Sequence, residues 1–230
     1  MQKQKLCLCG AIITYEANIF NGQEIFEPLQ CDDCTDRINA EYQSAEQKRK
    51  YDEHIAKWEA ICPPLYRDTD TKRLIPALRI LAEGWYSGQD GKGLGLAGNT
   101  GIAKTRTAFL ILKRFHFSGQ RVAAMSAIKF SKLCADQFAD DYRIKNDARE
   151  KLAALLTASL ILIDDVGKEK MTERVTTEMF NLVEERTANF RPIIWTTNLD
   201  AGQLKHAFND QTKSDPIVRR LREFSDIPKL

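Results

Sequence analysis

The sequence has little histidine and no long apolar stretch. Its three histidines are scattered along 230 residues, and no Ser/His/Asp or Cys/His set stands out that would pair a nucleophile with a base. No apolar run approaches the roughly 20 residues of a membrane-spanning helix, and the sequence has no internal repeats or low-complexity segments. The pattern therefore gives no support to a triad hydrolase, a membrane protein or a repeat protein.

Length and composition indicate a soluble globular protein. With 230 residues, 43% hydrophobic and 29% charged, the chain fits one large domain or one domain with a small appendage. Charge is distributed unevenly, because residues 1–62 carry 7 Lys/Arg and 11 Asp/Glu whereas residues 63–230 carry 27 and 21. A mildly basic main part is compatible with nucleic-acid binding but is weak support for it.

Residues 1–15 resemble a signal peptide only faintly. Their apolar part is short, and no cleavage site with small residues follows it. We therefore expect a folded N-terminus, a cytoplasmic protein and no membrane partner. In that compartment the six cysteines are expected to be thiols or metal ligands rather than disulfides.

Two cysteine pairs flank a short segment that has a hairpin-turn signal at Asn21-Gly22. The pairs are Cys7 with Cys9, spaced C-x-C, and Cys31 with Cys34, spaced C-x2-C. Four thiolates can hold a tetrahedral, structural Zn²⁺, so we predict a zinc-ribbon-like module over residues 1–35. The short spacing of the first pair leaves an alternative open, namely four reduced thiols in a small apolar patch.

Residues 36–61 are predicted to form a linker helix, because the apolar residues from Tyr51 to Ile61 recur at helical spacing. Two prolines after Cys62 would stop the helix, and we place the start of the main domain, residues 62–230, there. The helix could bind a partner or pack on its own chain, and the sequence favours neither.

The strongest signal is a glycine-containing loop, residues 98–105, between an apolar stretch and a run with helical spacing. A strand, a tight loop ending in Lys-Thr and a helix form a phosphate-binding loop, in which backbone N–H groups face phosphate oxygens. The lysine would reach the β- and γ-phosphates, and the threonine hydroxyl would hold Mg²⁺. Ala103 stands where this motif has glycine. If its φ is positive, alanine costs about 1–2 kcal/mol and would weaken nucleotide binding without abolishing it.

A second signal is the apolar run 160–163 followed by Asp164 and Asp165. Four consecutive apolar residues are typical of a strand buried on both faces of a parallel sheet. Carboxylates at the C-terminal end of such a strand lie where ligands bind in open α/β sheets, and Mg²⁺ would offset the cost of burying them. A further apolar strand, residues 192–198, ends in polar groups that would lie beside the γ-phosphate.

Together these motifs resemble the Walker A, Walker B and sensor-1 elements of AAA+ ATPases. They are Gly98-x2-Gly101-x2-Lys104-Thr105, Leu160-Ile-Leu-Ile-Asp164-Asp165-Val-Gly167 and Ile194-Trp-Thr-Thr-Asn198. The Asp-Asp-Val-Gly variant is similar to helicase loaders of the DnaC/DnaI type and to IstB transposition helper ATPases, and the cysteine pairs with the following helix resemble phage-borne members. The resemblance implies an α/β P-loop NTPase (AAA+) fold, a parallel sheet flanked by helices, with ATP and Mg²⁺ as cofactors.

Carried over to this sequence, the resemblance implies a role for each polar residue of the motifs. Thr105 and Asp164 would support Mg²⁺. Asn198, with Thr197 as second choice, would orient the attacking water. Asp165 stands where many AAA+ proteins have a water-activating glutamate, and its side chain, one methylene shorter, implies slow hydrolysis. The residues implied to bind ATP are Gly98, Asn99, Thr100, Gly101, Ile102, Ala103, Lys104, Thr105 and Arg106.

The resemblance also implies self-association through the ATP site. Arg220 resembles the arginine finger that acts on a neighbouring subunit's nucleotide, and Arg219 and Arg222 are close rivals. The sequence ends at Leu230 without room for the usual helical lid, which implies that a sensor-2 arginine is missing.

In this clade the segment after the second strand contacts single-stranded DNA, which implies Lys129, Phe130 and Lys132 here. A base would stack on Phe130 while the lysines meet phosphates. The alternative is a Phe130 ring in the core beside solvated lysines.

The function implied is ATP-controlled loading of a replicative helicase onto single-stranded DNA, in which the N-terminal module binds the helicase. Two alternatives stay open. One is a transposition helper that acts on duplex DNA, and the other is a nucleotide-binding adaptor that does not hydrolyse, which Ala103 and Asp165 both allow.

Overall fold

The computed structural model describes residues 2–7, 9–16, 18–20, 23–26, 30–88, 90–168, 171–208 and 211–230. The chain divides into two compact units, Met1–Ile55 and Ala56–Leu230. Within the described residues, no helix combines the length and the apolar character needed to cross a membrane.

The first unit contains two antiparallel hairpins and most of a long helix. Strand β1 (Gln2–Leu6) pairs with β2 (Ile12–Glu16), and β3 (Asn18–Phe20) pairs with β4 (Gln23–Phe26). The turn predicted at Asn21-Gly22 lies outside the described residues. Helix α1 (Asp32–Ile61) begins earlier than the predicted residue 36, because Asp32 and Asp33 in its first turn stabilise the positive end of the helix dipole.

The second unit is built on a five-stranded parallel sheet with the order β6-β7-β8-β5-β9. Its strands are β5 (Gly93–Ala97), β6 (Val122–Ser126), β7 (Leu160–Asp164), β8 (Ile193–Thr197) and β9 (Ser225–Asp226). Since β5 lies next to β8 although the chain continues from β5 to β6, the strand order reverses beside β5. Ligands bind at such a reversal, outside the carboxyl ends of the strands.

Helices connect and cover the strands. They are α2 (Pro64–Arg67), α3 (Pro76–Gly84), α4 (Lys104–Phe117), α5 (Ala127–Asp136), α6 (Tyr142–Thr157), α7 (Glu173–Ala188), α8 (Ala201–Ala207) and α9 (Gln211–Glu223), with a 3₁₀ turn at Thr71–Arg73. Side-chain caps begin several of them. The Asp141 carboxylate, for example, accepts from the backbone N–H groups of Arg143 and Ile144.

Both faces of the sheet are covered, because alternate side chains of β7 enter different apolar clusters. Ile161 and Ile163 pack in the cluster that includes residues of α5 to α9, whereas Leu160 and Leu162 pack with residues of α3 and α4. All four are buried, as the apolar run in the sequence predicted. The predicted parallel α/β fold is therefore confirmed.

A buried arginine ties α6 and α7 to the sheet. The Arg186 guanidinium donates to the carbonyl oxygens of Leu155 (2.6 Å), Ala158 (3.0 Å) and Pro192 (2.9 Å), and burial lowers its pKa to about 10. The first two carbonyls belong to the end of α6, where the last turn of a helix leaves carbonyls without partners inside the helix. Arg186 supplies those partners from α7.

Candidate nucleotide-binding site

The glycine-containing loop joins β5 to α4 through left-handed backbone conformations. Gly101 has φ of +90°, and Ala103, the residue before α4, has φ of +71° and ψ of 27°. The left-handed region is strained for alanine because its Cβ approaches the following carbonyl oxygen. The loop therefore adopts the glycine-type geometry at residue 103 with an alanine there.

The Lys104 ammonium is bound to the loop itself. It donates to the carbonyl oxygens of Gly98 (2.7 Å) and Asn99 (2.8 Å) and to Oδ1 of Asn198 (2.7 Å). Burial lowers the pKa of Lys104, while the carboxylates of Asp165 and Asp164 act in the opposite direction. Because an ammonium has three protons, phosphate oxygens must replace at least one of these acceptors. Asn198 thus lies beside the lysine that would meet the phosphates.

Hydroxyl groups from two elements converge on Asp164. Its Oδ1 accepts from the hydroxyls of Thr105 (2.8 Å) and Thr196 (2.7 Å), and the Thr196 hydroxyl in turn accepts from the backbone N–H of Asp165 (2.8 Å). Burial raises the pKa of Asp164, and these hydroxyl donors oppose the rise. Thr196 therefore positions both acidic residues, a role that sequence reasoning missed. Its signal was a polar residue near the end of a buried strand.

This oxygen-rich set fits a magnesium ion. Mg²⁺ binds through one or two carboxylates and hydroxyls together with substrate phosphates and water. Thr105 and Asp164 offer a hydroxyl and a carboxylate 2.8 Å apart at the carboxyl end of the sheet, beside the loop lysine. The donor chemistry thus suits the metal that the sequence predicted there.

Asp165 starts a tight turn after β7. It has φ of +58°, and its carboxylate accepts from the Lys168 ammonium at 3.1 Å. Thr197 is turned away from this group, since its hydroxyl donates to the carbonyl of Val166 and accepts from the backbone N–H of Leu199. Between the two residues that the sequence offered for orienting water, the geometry favours Asn198.

The Arg106 side chain contacts the segment around α2. Its guanidinium donates to the carbonyl oxygen of Leu65 (2.9 Å) and lies 5.6 Å from the centre of the Tyr66 ring, which stacks on Phe109 with centroids 5.1 Å apart. Arg106 thereby fastens the segment around α2 to the first turn of α4. Contact between its guanidinium and ATP stays a prediction.

Comparison with known proteins identifies the family. Residues 68–229, more than half of the chain, match the sequence model of a family described as IstB-like ATP binding protein. The chain belongs to this family. No curated protein matches the chain significantly.

Solved structures share the fold of this IstB-like chain at low sequence identity. A DnaI structure is 22% identical with a TM-score of 0.54, covering 66% of this chain and 79% of that one. The DnaC helicase loader is 17% identical with a TM-score of 0.51, covering 74% and 97%. AMPPCP-bound DnaA from Aquifex aeolicus is 19% identical with a TM-score of 0.52, covering 66% of this chain and 44% of that protein's length. The predicted AAA+ relationship is confirmed, while the phage-type subdivision stays a prediction.

In this IstB-like protein the structure separates the three arginines of α9. Arg220 forms an ion pair with Glu184 of α7 at 2.7 Å, and both side chains are about seven-tenths buried. Arg219 and Arg222 are exposed and line a cleft of about 830 Å³. An arginine finger must reach a neighbouring subunit, so the geometry favours Arg219 or Arg222 over the predicted Arg220.

The residues predicted to contact DNA also differ in exposure. Lys129 and Lys132 are exposed on α5 and line a groove of about 570 Å³ beside strand β6. Phe130 is 1% exposed and packs in the core, so no base can stack on its ring in this structure and that part of the prediction is wrong. Exposed aromatic rings occur nearby at Phe138 and Tyr142, which are 55% and 76% exposed.

The four N-terminal cysteines come together in the first unit. The sulfur atoms of Cys7, Cys9, Cys31 and Cys34 all lie within 4.8 Å of one another. Tetrahedral Zn–S bonds of 2.3 Å would place sulfurs about 3.8 Å apart, so the cluster fits a zinc ion. Backbone N–H groups of Cys9 and Cys31 lower the pKa of Cys7 to about 6. Side-chain hydrogen bonds with the other three cysteines raise the pKa of Cys34 to about 12.

The local backbone explains how the unusual C-x-C spacing works. Cys7 and Cys9 lie in a turn closed by two hydrogen bonds, from the Cys7 N–H to the Ala11 carbonyl and from the Gly10 N–H to the Cys7 carbonyl. Gly10 has φ of +91° in this turn. The second pair lies at the start of α1, so a turn and a helix terminus present the two pairs to each other.

Proposed function

We propose that this chain is an ATPase that loads a replicative helicase onto single-stranded DNA. One observation carries the proposal: at the carboxyl end of the sheet the loop lysine donates to Asn198, and the Thr105 hydroxyl donates to Asp164. Membership of the IstB-like ATP-binding family and the fold shared with DnaI and the DnaC helicase loader support it.

The chemistry that we propose is hydrolysis of ATP by water. Water attacks the γ-phosphorus, the bond to the oxygen that bridges the β- and γ-phosphates breaks, and Asp165 accepts the water proton, so that ADP and inorganic phosphate leave. Asn198 orients the water, and Lys104 exchanges its loop acceptors for phosphate oxygens. Thr105 and Asp164 would hold Mg²⁺, which offsets negative charge on the phosphates.

DNA binding would use the exposed side of α5, the segment that follows it and the start of α6. Lys129 and Lys132 provide cations for phosphates, and Phe138 or Tyr142 provides an exposed ring on which a base can stack. The Arg174 guanidinium lies 4.1 Å from the centre of the Phe138 ring and adds a cation at the same place. The Phe130 ring has no part in this proposal.

The first unit would bind the helicase, with zinc holding the four cysteines in place. Zinc binding contributes on the order of 10 kcal/mol in small modules of this kind, enough to fold a segment that has little core of its own. Replacing Cys31 and Cys34 by serine should remove about one equivalent of zinc and abolish helicase binding while ATP binding persists. Retention of zinc by that variant would contradict the assignment of these cysteines as zinc ligands.

The central experiment compares ATP turnover with and without an oligo-dT strand, and then helicase delivery to closed circular single-stranded DNA. We expect slow turnover that the strand alters, delivery that requires ATP, and loss of turnover in Asp165→Asn. Turnover that persists unchanged in that variant would contradict the assignment of Asp165. ATP binding without turnover by the unaltered chain would favour the adaptor instead.

A second candidate is a transposition helper on duplex DNA, which the family description as IstB-like favours. The two functions differ in the DNA that they prefer. Filter binding of matched single-stranded and duplex oligonucleotides separates them, since the loader should prefer the single strand and the helper the duplex.

A further inference from the structure

Lys168 places a second ammonium beside the paired carboxylates. Its Nζ lies 3.1 Å from Oδ2 of Asp165, and its backbone N–H donates to the Asp165 carbonyl at 3.2 Å, which closes the turn after β7. Between them, Gly167 has φ of +83°, and a Cβ on it would lie 2.7 Å from Leu199 and 2.8 Å from Leu204. The backbone of the turn is therefore closely packed, whereas the Lys168 side chain extends from it into solvent.

The charges at this end of the sheet require more than one cation. Asp164 and Asp165 carry two negative charges, and a bound ATP would add its terminal phosphate. The Lys104 ammonium already donates to the carbonyls of Gly98 and Asn99 and to Asn198. Mg²⁺ held by Thr105 and Asp164 would offset charge on that side of the site, and an ammonium beside Asp165 would lessen the repulsion between its carboxylate and the γ-phosphate.

The Lys168 ammonium lies on the Asp165 side of the site, 3.1 Å from that carboxylate. The side chain is 57% exposed. A terminal phosphate carries more charge than a carboxylate and therefore competes well for the same ammonium.

We propose that Lys168 is a γ-phosphate contact that exchanges Asp165 for ATP and remains on Asp165 when ADP is bound. The exchange frees the Asp165 carboxylate to accept the water proton only when a γ-phosphate is present. Lys168 thereby makes the site selective for ATP over ADP. This inference rests on the nucleotide-binding function proposed above.

The test compares Lys168→Met with Lys151→Met. Lys151 is a matched control because it also forms an exposed ion pair, with Asp147 at 2.7 Å, and lies on α6. Affinities for Mg²⁺ with ADP, and for Mg²⁺ with the β,γ-imido analogue of ATP, are measured by fluorescence titration of the full chain. In Lys168→Met we expect affinity for the analogue to fall about tenfold, as for one charge-assisted contact, while affinity for ADP changes less than about twofold.

Several outcomes would decide against a γ-phosphate contact at Lys168. Equal losses for both nucleotides, or no loss for either, would overturn it, as would the same pattern in Lys151→Met. Lys168→Arg keeps the charge and should retain the preference for the ATP analogue, which excludes a general folding defect as the cause. Failure of the unaltered chain to bind either nucleotide would overturn the nucleotide-binding function itself and this inference with it.

Discussion

Ala103 adopts a strained, left-handed backbone conformation in the phosphate-binding loop. Its left-handed conformation is present in the free protein, so the strain opposes folding rather than nucleotide binding. This refines the sequence-based expectation of weakened binding. We expect Ala103→Gly to raise the free energy of unfolding by roughly 0.5–1 kcal/mol, the relief of left-handed strain less the extra entropy of glycine in the unfolded chain. Nucleotide affinity should stay the same.

The control for this change is Ala153→Gly, an exposed helical position in α6. There glycine should lower the free energy of unfolding by roughly 0.5–1 kcal/mol, because no strain is relieved. Urea titration of both variants provides the comparison. A loss of stability in Ala103→Gly, or a marked gain in its nucleotide affinity, would contradict the account.

Asp164 is a second residue of the site whose buried charge lowers the stability of the fold. Its buried charge and the neighbouring Asp165 carboxylate disfavour the ionised form, which raises the pKa of Asp164. Stability due to a raised carboxyl pKa is present at acidic pH and is lost as pH rises through the folded-state pKa. In metal-free buffer at neutral pH, Asp164→Asn should therefore unfold with a free energy about 1 kcal/mol higher, because its amide oxygen can still accept from Thr105 and Thr196.

The increase in the free energy of unfolding caused by Asp164→Asn should disappear at acidic pH, because protonation neutralises the aspartate there. Magnesium-dependent ATP turnover should be lost in the same variant, since an amide is a poor Mg²⁺ ligand. Thermal unfolding across a pH series measures the first effect and phosphate release measures the second. Asp147→Asn, at an exposed ion pair on α6, should show neither.

At the scale of elements, the junction of α6, α7 and the sheet depends on Arg186. Replacing Arg186 by methionine removes its donors from Leu155, Ala158 and Pro192 and leaves those buried carbonyls unpaired. We expect a loss of about 3 kcal/mol or more, as for several buried hydrogen bonds to a charged group. Arg149→Met, on the exposed face of α6, should change stability by less than about 0.5 kcal/mol. A loss as small as the control's would refute the role of Arg186.

Sequence predicted the elements best where one local pattern determined them. The apolar run of β7 identified a strand buried on both faces, and its final carboxylate identified the end that faces the ligand. The stacking expected of Phe130 is contradicted by the apolar period of its own helix. Buried Ala127, Phe130, Leu133 and Cys134 recur at helical spacing on α5, and that period places the ring inside and the lysines outside.

Contacts between distant elements lay beyond the sequence. The pairing of Arg220 with Glu184 joins α9 to α7, and the bonds of Thr196 to Asp164 and Asp165 depend on the register of β8 against β7. Neither partner is marked by a nearby motif. Local chemistry thus indicated which residues form the loop site, but only the packing of helices and strands indicated that Arg220 is paired while Arg219 and Arg222 are exposed.

At the scale of the whole molecule, the exposed arginines of α9 predict cooperation between copies. If Arg219 acts on a neighbour's nucleotide, Lys104→Ala and Arg219→Ala should each be inactive alone, while a mixture of the two should recover ATP turnover, because one copy supplies the finger and the other the loop. Phosphate release by the mixture at a fixed total concentration is the measurement. No recovery from mixing, with Arg222→Ala tested in the same way, would rule out action between subunits through this face.

Arg220→Ala gives the matching structural control. Removing its ion pair with Glu184 should lower the free energy of unfolding by roughly 1 kcal/mol, as for a partly buried pair. We expect turnover at low temperature to persist, because the pair joins α7 to α9 within one copy. Complete inactivity in a folded variant would restore Arg220 as the finger.

The three bonds that hold the Lys104 ammonium in the free loop also bear on how the protein responds to its surroundings. A nucleotide must compete with the Gly98, Asn99 and Asn198 oxygens for the protons of the ammonium. Because hydrogen bonds to phosphate replace existing hydrogen bonds, binding gains only the difference in free energy between the two sets. We expect the site to stay partly filled at nucleotide concentrations that would saturate a loop with an unsatisfied lysine. Occupancy would then vary with the concentration of ATP over a wider range.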